Sequence, residues 1–187
     1  MLDRKTSISL AAVLVLFIFS ACTQSTSVNG DDQAFTAHKS GYAKIDTGNH
    51  HGAIADLNEA IRLKPNFAEA YHERGYVKAD LGDYKGAITD LNEAIRLKPF
   101  FAEAYSERGY VKGQSGDDQG AVSDTSEAIR FKPDYFKAYL IRGLAKAKLG
   151  DKYGAIADLE KSAELSKNQG SKDIYNIAVY ELKKLRK

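Results

Sequence analysis

Four histidines, one cysteine and 25 carboxylates are the side chains here best suited to move protons, hold a metal or form a covalent bond. The histidines are His38, His50, His51 and His72, and the cysteine is Cys22. A zinc-type site needs three or four such ligands converging at fixed geometry, and no set of them is spaced as a ligand motif. No serine stands in a nucleophile elbow and no glycine run forms a phosphate loop. The expectation is a non-catalytic chain with no metal and no cofactor. A lone cysteine also excludes an internal disulfide framework, so stability must come from packing. What remains is the chemistry of contact. Tyr42, Tyr76 and Tyr110 recur at one interval, with Leu144 as the next rung. Tyrosine offers a broad apolar face, a hydroxyl and little rotamer freedom to lose, which suits the binding of a peptide. The same tyrosines also read as partly buried packing residues.

That interval is 34 residues and governs most of the chain. Residues 53–65 read AIADLNEAIRLKP and residues 87–99 read AITDLNEAIRLKP. Residues 68–78 and 102–112 differ only at His72 against Ser106. A fixed period of this length marks stacked supersecondary units with extended surface, not one globular core.

Each unit reads as two helices. In residues 68–101 the apolar or small positions are Ala70, Tyr71, Gly75, Val77 and Leu81, then Ala87, Ile88, Leu91, Ala94, Ile95 and Leu97. Spacings of three and four in the second half place those side chains on one helical face. Between the halves, Leu81-Gly82-Asp83 supplies a left-handed closing residue and a cap. Pro99 stops the second helix. Four units follow in one frame: 34–67, 68–101, 102–135 and 136–169. Gly41, Gly75, Gly109 and Gly143 share position 8 of the unit, and Ala53, Ala87, Ala121 and Ala155 share position 20. Small residues there let paired helices approach closely.

This pattern resembles the tetratricopeptide repeat, over residues 34–169 in four consecutive copies. The family has an aromatic at position 4, which is Tyr71, Tyr105 and Tyr139 here, with Ala37 as the departure. Its proline at position 32 is Pro65, Pro99 and Pro133, with Lys167 in the fourth unit. Position 24 is Leu57, Leu91 and Leu159, with polar Thr125 in the third. The resemblance implies an all-α, right-handed α-solenoid whose first helices line a concave groove. It places His38, Tyr42, Glu69, His72, Tyr76, Asp80, Glu103, Tyr110, Lys137, Leu144 and Lys148 on that groove, with Asp46 also there. The groove is then acidic over units one to three and basic over unit four, fitting a segment with a basic part; a generic solvated face is the other reading. The clamp by which some relatives grip a chaperone's C-terminal carboxylate needs Lys and Asn where this chain has His38 and Tyr42, so it is absent.

Other repeating charges read as structure. Arg74, Arg108 and Arg142 hold position 7, with Ser40 in the first unit. Asp56, Asp90, Asp124 and Asp158 hold position 23. Bidentate Arg–Asp pairs are expected. If they form within a unit, Asp56 lacks its arginine; if they run to the next unit, Asp158 does. Lys44, Lys78, Lys112 and Lys146 read as solubilising side chains with stems over apolar surface. Gly52, Gly86, Gly120 and Gly154 indicate either close backbone approach or copying by duplication.

The N-terminus has another character. Arg4 and Lys5 precede the stretch 8–19, apolar except for Ser9. Twelve residues rise about 18 Å as a helix, short of a bilayer core of about 30 Å. Residues 1–21 read as a signal peptide. Phe19-Ser20-Ala21-Cys22 resembles a bacterial lipobox, with Phe19 where Leu is usual, and this implies acylation of Cys22. Plain secretory cleavage after Ala21 is the alternative. Thr23 resembles an outer-membrane sorting default, facing the periplasm in a cell with two membranes. Residues 22–33 then comprise the lipidated cysteine and a flexible polar tether.

Residues 171–187 read as a last helix with Ile174, Ile177, Ala178, Leu182 and Leu185 on one stripe, capping the open end of the solenoid. Lys183, Lys184, Arg186 and Lys187 suit its C-terminal dipole or an anionic lipid or glycan. The formal net charge of +2 gives no basic field for nucleic acid. The functional expectation is an envelope-anchored scaffold that binds a protein or peptide partner in its groove. Self-association through a groove or repeat end, giving a homo-oligomer, is the alternative.

Overall fold

The computed structural model describes residues 29–187. Cys22, the signal segment and residues 23–28 of the expected tether lie outside them. The elements are α1 (Gly30–Asp46), α2 (His50–Leu63), α3 (Ala68–Asp80), α4 (Tyr84–Leu97), α5 (Ala102–Gln114), α6 (Asp118–Phe131), α7 (Phe136–Lys148), α8 (Lys152–Asn168) and α9 (Lys172–Leu185). Among the described residues there is no strand, and no helix is long and apolar enough to cross a membrane. Each helix packs chiefly on its neighbours in sequence, and odd-numbered helices also touch the next odd-numbered one along one face. This is an all-α solenoid.

The local chemistry that makes a pair repeats four times. Gly48, Gly82, Gly116 and Gly150 take φ between 73° and 90°, which closes the first helix of each pair. The next residue, Asn49, Asp83, Asp117 or Asp151, then caps the second helix. Its side-chain oxygen accepts the amide hydrogen of Gly52, Gly86, Gly120 or Gly154. Those glycines leave room for the cap, because a Cβ on any of the last three would fall inside the Asp carboxylate. Lys64, Lys98 and Lys132 end α2, α4 and α6 in extended backbone, as a residue before proline must.

Within a pair, a position-8 glycine faces position 24. A Cβ on Gly75 would lie 3.0 Å from the Leu91 side chain and 3.2 Å from the Ala87 carbonyl. Leu57, Leu91 and Leu159 are fully buried there. Thr125 is as buried, and its hydroxyl donates to the Ala121 carbonyl at 2.6 Å, which satisfies that buried hydroxyl. Leu81, expected with the apolar stripe, sits at the turn and is exposed. Phe67 and Phe101 are buried between consecutive units.

Two boundaries differ from the sequence reading. Helix α1 begins at Gly30 behind an Asn29 cap, so the last four residues assigned to the tether are helical. Asp31 and Asp32 stand in its first turn, where the helix dipole favours acids and where no apolar stripe is needed. Helix α9 is more than a cap: it packs on α8 and also touches α7, which carries it to the rim of the groove.

Candidate partner-binding groove

Helices α3, α5 and α7 line one face, and α9 closes its far end. Two hollows open there. One, of about 490 Å³, is bounded by Tyr76, Tyr84, Tyr110, Leu140, Leu144, Ile174 and Ile177. The second, of about 530 Å³, lies between Tyr110, Ile141, Leu144, Ala145 and Leu185. Tyr110, Ile141 and Leu144 belong to both, so the hollows form one trough with a low ridge. Volumes of this order suit groups of apolar side chains.

The expected site residues divide. Tyr76, Asp80, Tyr110, Lys137, Leu144 and Lys148 line the trough. Tyr42 is the same rung on α1 and is half exposed, but it stands outside both hollows. Glu69 and Glu103 are held by Lys98 and Lys132 at 2.9 Å each, at the joint between units. Their pKa values are lowered: burial pushes up, but the lysine hydrogen bond, a backbone amide and nearby charge outweigh it. His38 packs on Phe67 with ring centres 4.6 Å apart and meets Glu73 at 2.9 Å. His72 packs on Phe101 at 4.9 Å, and burial lowers its pKa to about 4, so it is neutral at pH 7. Both histidines therefore serve the joint between units. No cluster of potential metal ligands occurs among the described residues.

Sequence reasoning did not single out Glu107, Ile141 or Glu181, and it assigned Ile174 and Ile177 to the capping stripe and Lys184 to the helix end, not to the groove. Spacings of three and four do connect those α9 positions, so a second stripe was present in the sequence. It was hidden because Ala178 and Leu182, buried against α8, share the helix with it. The basic end of α9 is partly neutralised, since Lys184 pairs with Glu181 at 3.0 Å and Arg186 with Glu160. In the second hollow Lys148 reaches Asp118 at 3.2 Å and the Gly113 carbonyl at 3.0 Å.

The arginines hold the groove helices in place. Arg74 donates to both oxygens of Asp90 at 2.8 and 2.6 Å, within its own unit. Arg108–Asp124 and Arg142–Asp158 repeat that fork. A third donor joins each: Lys78, Lys112 and Lys146 approach the same aspartates at 2.7–2.9 Å. Those lysines are thus members of an ion triad, and not only solubilising groups. The remaining arginine nitrogen reaches back 16 residues to Asn58, Asn92 or Ser126 of the preceding unit. One side chain therefore ties two helices and two units. In the first unit Ser40 replaces the arginine, and Asp56 has Lys44 as its one cation, at 2.6 Å. That lysine hydrogen bond, more than the one from Ser40, lowers the Asp56 pKa.

A solenoid of helix pairs around one concave trough is the architecture of a protein-interaction scaffold. A family model described as TPR repeat matches residues 41–82 and 75–116, and one described as tetratricopeptide repeat matches 136–169. Together they take in more than half of the chain, which belongs to the tetratricopeptide-repeat family. No curated protein matches the sequence. A crystal structure of MamA is similar at 26% identity over 85% of this chain and 94% of that one, with a TM-score of 0.67. MamA 41-end from Desulfovibrio magneticus RS-1 is 22% identical over 83% and 94%, with a TM-score of 0.66. The first such domain of Spaghetti (RPAP3), bound to the HSP90 peptide SRMEEVD, is 20% identical over 64% and 95%, with a TM-score of 0.63.

Proposed function

We propose that this protein is a non-catalytic adaptor tethered to the bacterial envelope, which captures a peptide or helix of a partner protein in the trough. The observation that carries the reading is the continuous apolar lining from Tyr76 through Tyr110 and Leu144 to Ile177. A large unpartnered apolar concavity flanked by charge is what a docking groove requires. The domain of Spaghetti carries a peptide, and an extended or helical segment would lie along the corresponding face here.

The tether rests on sequence. The apolar stretch 8–19 and the single Cys22 support export, acylation and residence in the outer membrane, facing the periplasm where the cell has two membranes. Helix α1 starts eight residues beyond Cys22, a span of at most about 30 Å. An acylated chain would hold its first repeat close to the lipid surface and present the trough to partners there. Labelling with a fatty-acid analogue is expected in the wild-type chain and lost in Cys22→Ser.

The groove is tested in cells with a photo-crosslinking amino acid placed at Tyr110 or at Tyr153, which is 87% exposed and lines neither hollow. A discrete protein adduct from position 110 and none from position 153 is the expected result. Equal adducts from both, or none, would overturn groove capture. An adduct only to a second copy of the chain would replace the adaptor with self-association.

A further inference from the structure

We propose that the trough selects a segment bearing a lysine or arginine beside its apolar anchors, and that Glu107 receives the cation. This rests on the groove reading above and adds the chemistry of what the groove prefers.

Glu107 lies on α5 and lines the first hollow with Tyr76, Tyr110 and Leu140. Its equivalent one unit earlier, Glu73, meets His38 at 2.9 Å. Glu107 has no cation within ion-pair distance among the described residues. The other acids on the trough are engaged: Asp80 meets His50 at 3.1 Å, Asp118 meets Lys148 and Glu181 meets Lys184. Among the described residues Glu107 is thus the trough's one carboxylate with no basic side chain within ion-pair distance, in a hollow whose other charged side chains are Asp80 and Lys137. Lys137, across the hollow on α7, is exposed and beyond ion-pair reach. Water already solvates that lysine, so it makes no comparable demand on a ligand. The half-buried Glu107 carboxylate does, because partial removal from water without a partner penalises its charge.

The surroundings agree. Burial raises the Glu107 pKa to about 7, the nearby Asp80 adds to the rise, and Lys137 opposes it. Tyr76 on α3, Tyr110 on the same helix and Tyr135 beside the start of α7 also face its charge. Helix α9 brings only Ile174 and Ile177 to this hollow. His72 stays neutral across pH 6–8 and does not compete. A cation delivered by a partner would meet a site already shaped around one missing charge. The ridge at Tyr110 and Leu144 sets two apolar anchors, one in each hollow, with the cation beside the anchor nearer α3.

The test selects random twelve-residue displayed peptides on the full chain in mild detergent, then measures a fluorescent copy of the winner by anisotropy. Expected are apolar sequences containing Lys or Arg, at least tenfold weaker binding by Glu107→Gln, and binding that weakens severalfold from pH 8 to pH 6. Gln keeps a hydrogen-bond donor, so undiminished binding by that variant would mean Glu107 acts as a neutral donor and would overturn the proposal. A cation-free winner would do the same. Tyr110→Ala separates the two levels. Peptides lost on Tyr110→Ala but indifferent to Glu107→Gln leave the groove reading standing and remove the cation. Peptides indifferent to both, or no winner at all, overturn both.

Discussion

Two side chains shifted in opposite directions give the fold a pH dependence that each conceals in the other. Glu107 has a folded pKa of about 7 against an ordinary value of 4.5. Its contribution to stability is fully present below pH 4.5 and is lost as pH rises through 7, because the unfolded carboxylate releases its proton first. His72 has a folded pKa of about 4 against 6.5. Its contribution is present above pH 6.5 and is lost as pH falls through 4, because the unfolded imidazole takes up a proton more readily. Between pH 4.5 and 6.5 the two slopes oppose each other. Urea midpoints at pH 4, 6 and 8 should therefore vary less in the wild type than in either variant. Glu107→Gln should gain about 2 kcal/mol over wild type at pH 8 and almost nothing at pH 4. His72→Asn should steepen the loss of stability from pH 4.5 to pH 6.5 and soften the acid limb. Parallel profiles for all three chains would show that neither group feels the burial described.

At the scale of the helix pair, the turn is a coupled device of glycine and cap. Gly120 carries no side chain because the Asp117 carboxylate occupies that space while accepting its amide hydrogen at 2.8 Å. Gly120→Ala should cost about 1 kcal/mol, since loss of the cap outweighs the better helix propensity of alanine. In an Asp117→Ala background the sign should reverse, with the same substitution gaining about 0.5 kcal/mol. Chemical denaturation of the four chains measures the cycle, and additive effects would separate glycine from cap. The helix pairs themselves were legible in the sequence, because glycine, cap and proline recur at fixed places in each 34-residue unit. The Arg–Asp forks were legible too, but not their register, since a period alone cannot say whether position 7 meets its own unit or the next. The lysine in the triad was hidden because lysine on a helix is usually a solvated residue. Half of the groove was hidden for a different reason. Repeat position assigns the same role to Tyr42 as to Tyr110, while the trough depends on α9, which lies outside the repeat and borders only the later units. His38 and His72 were read as groove residues because their position faces inward. The aromatic rings of Phe67 and Phe101, 29 residues further on, cover them.

Across the whole molecule, a solenoid whose units touch only their neighbours has stability that is a sum of local pairs and interfaces, so its weakest unit opens first. The first unit is the weakest by construction. Asp90 is 4% exposed beneath an arginine fork and a lysine, whereas Asp56 is 23% exposed with Lys44 as its only cation. Breaking a buried triad strands its partners, at a cost of about 3–5 kcal/mol; the half-buried Lys44–Asp56 pair, with no arginine fork, contributes less. No preceding unit exists among the described residues to receive an arginine bridge from α1. Hydrogen exchange should therefore find the amides of α1 and α2 opening before those of α3 to α8, in a unit that stands beside the proposed membrane tether. Ser40 is exposed, and an arginine placed there would stand 16 residues before Asp56, the register of the other three forks. Ser40→Arg should slow exchange in α1 and α2 about fivefold, a gain of about 1 kcal/mol, and leave α5 to α9 unchanged. A uniform slowing along the chain would mean that the solenoid opens as one unit and that its stability is not shared out repeat by repeat. Unchanged exchange in α1 and α2 would mean that the missing fork is not what weakens that end, and would shift the cause to the interface between α1 and α3.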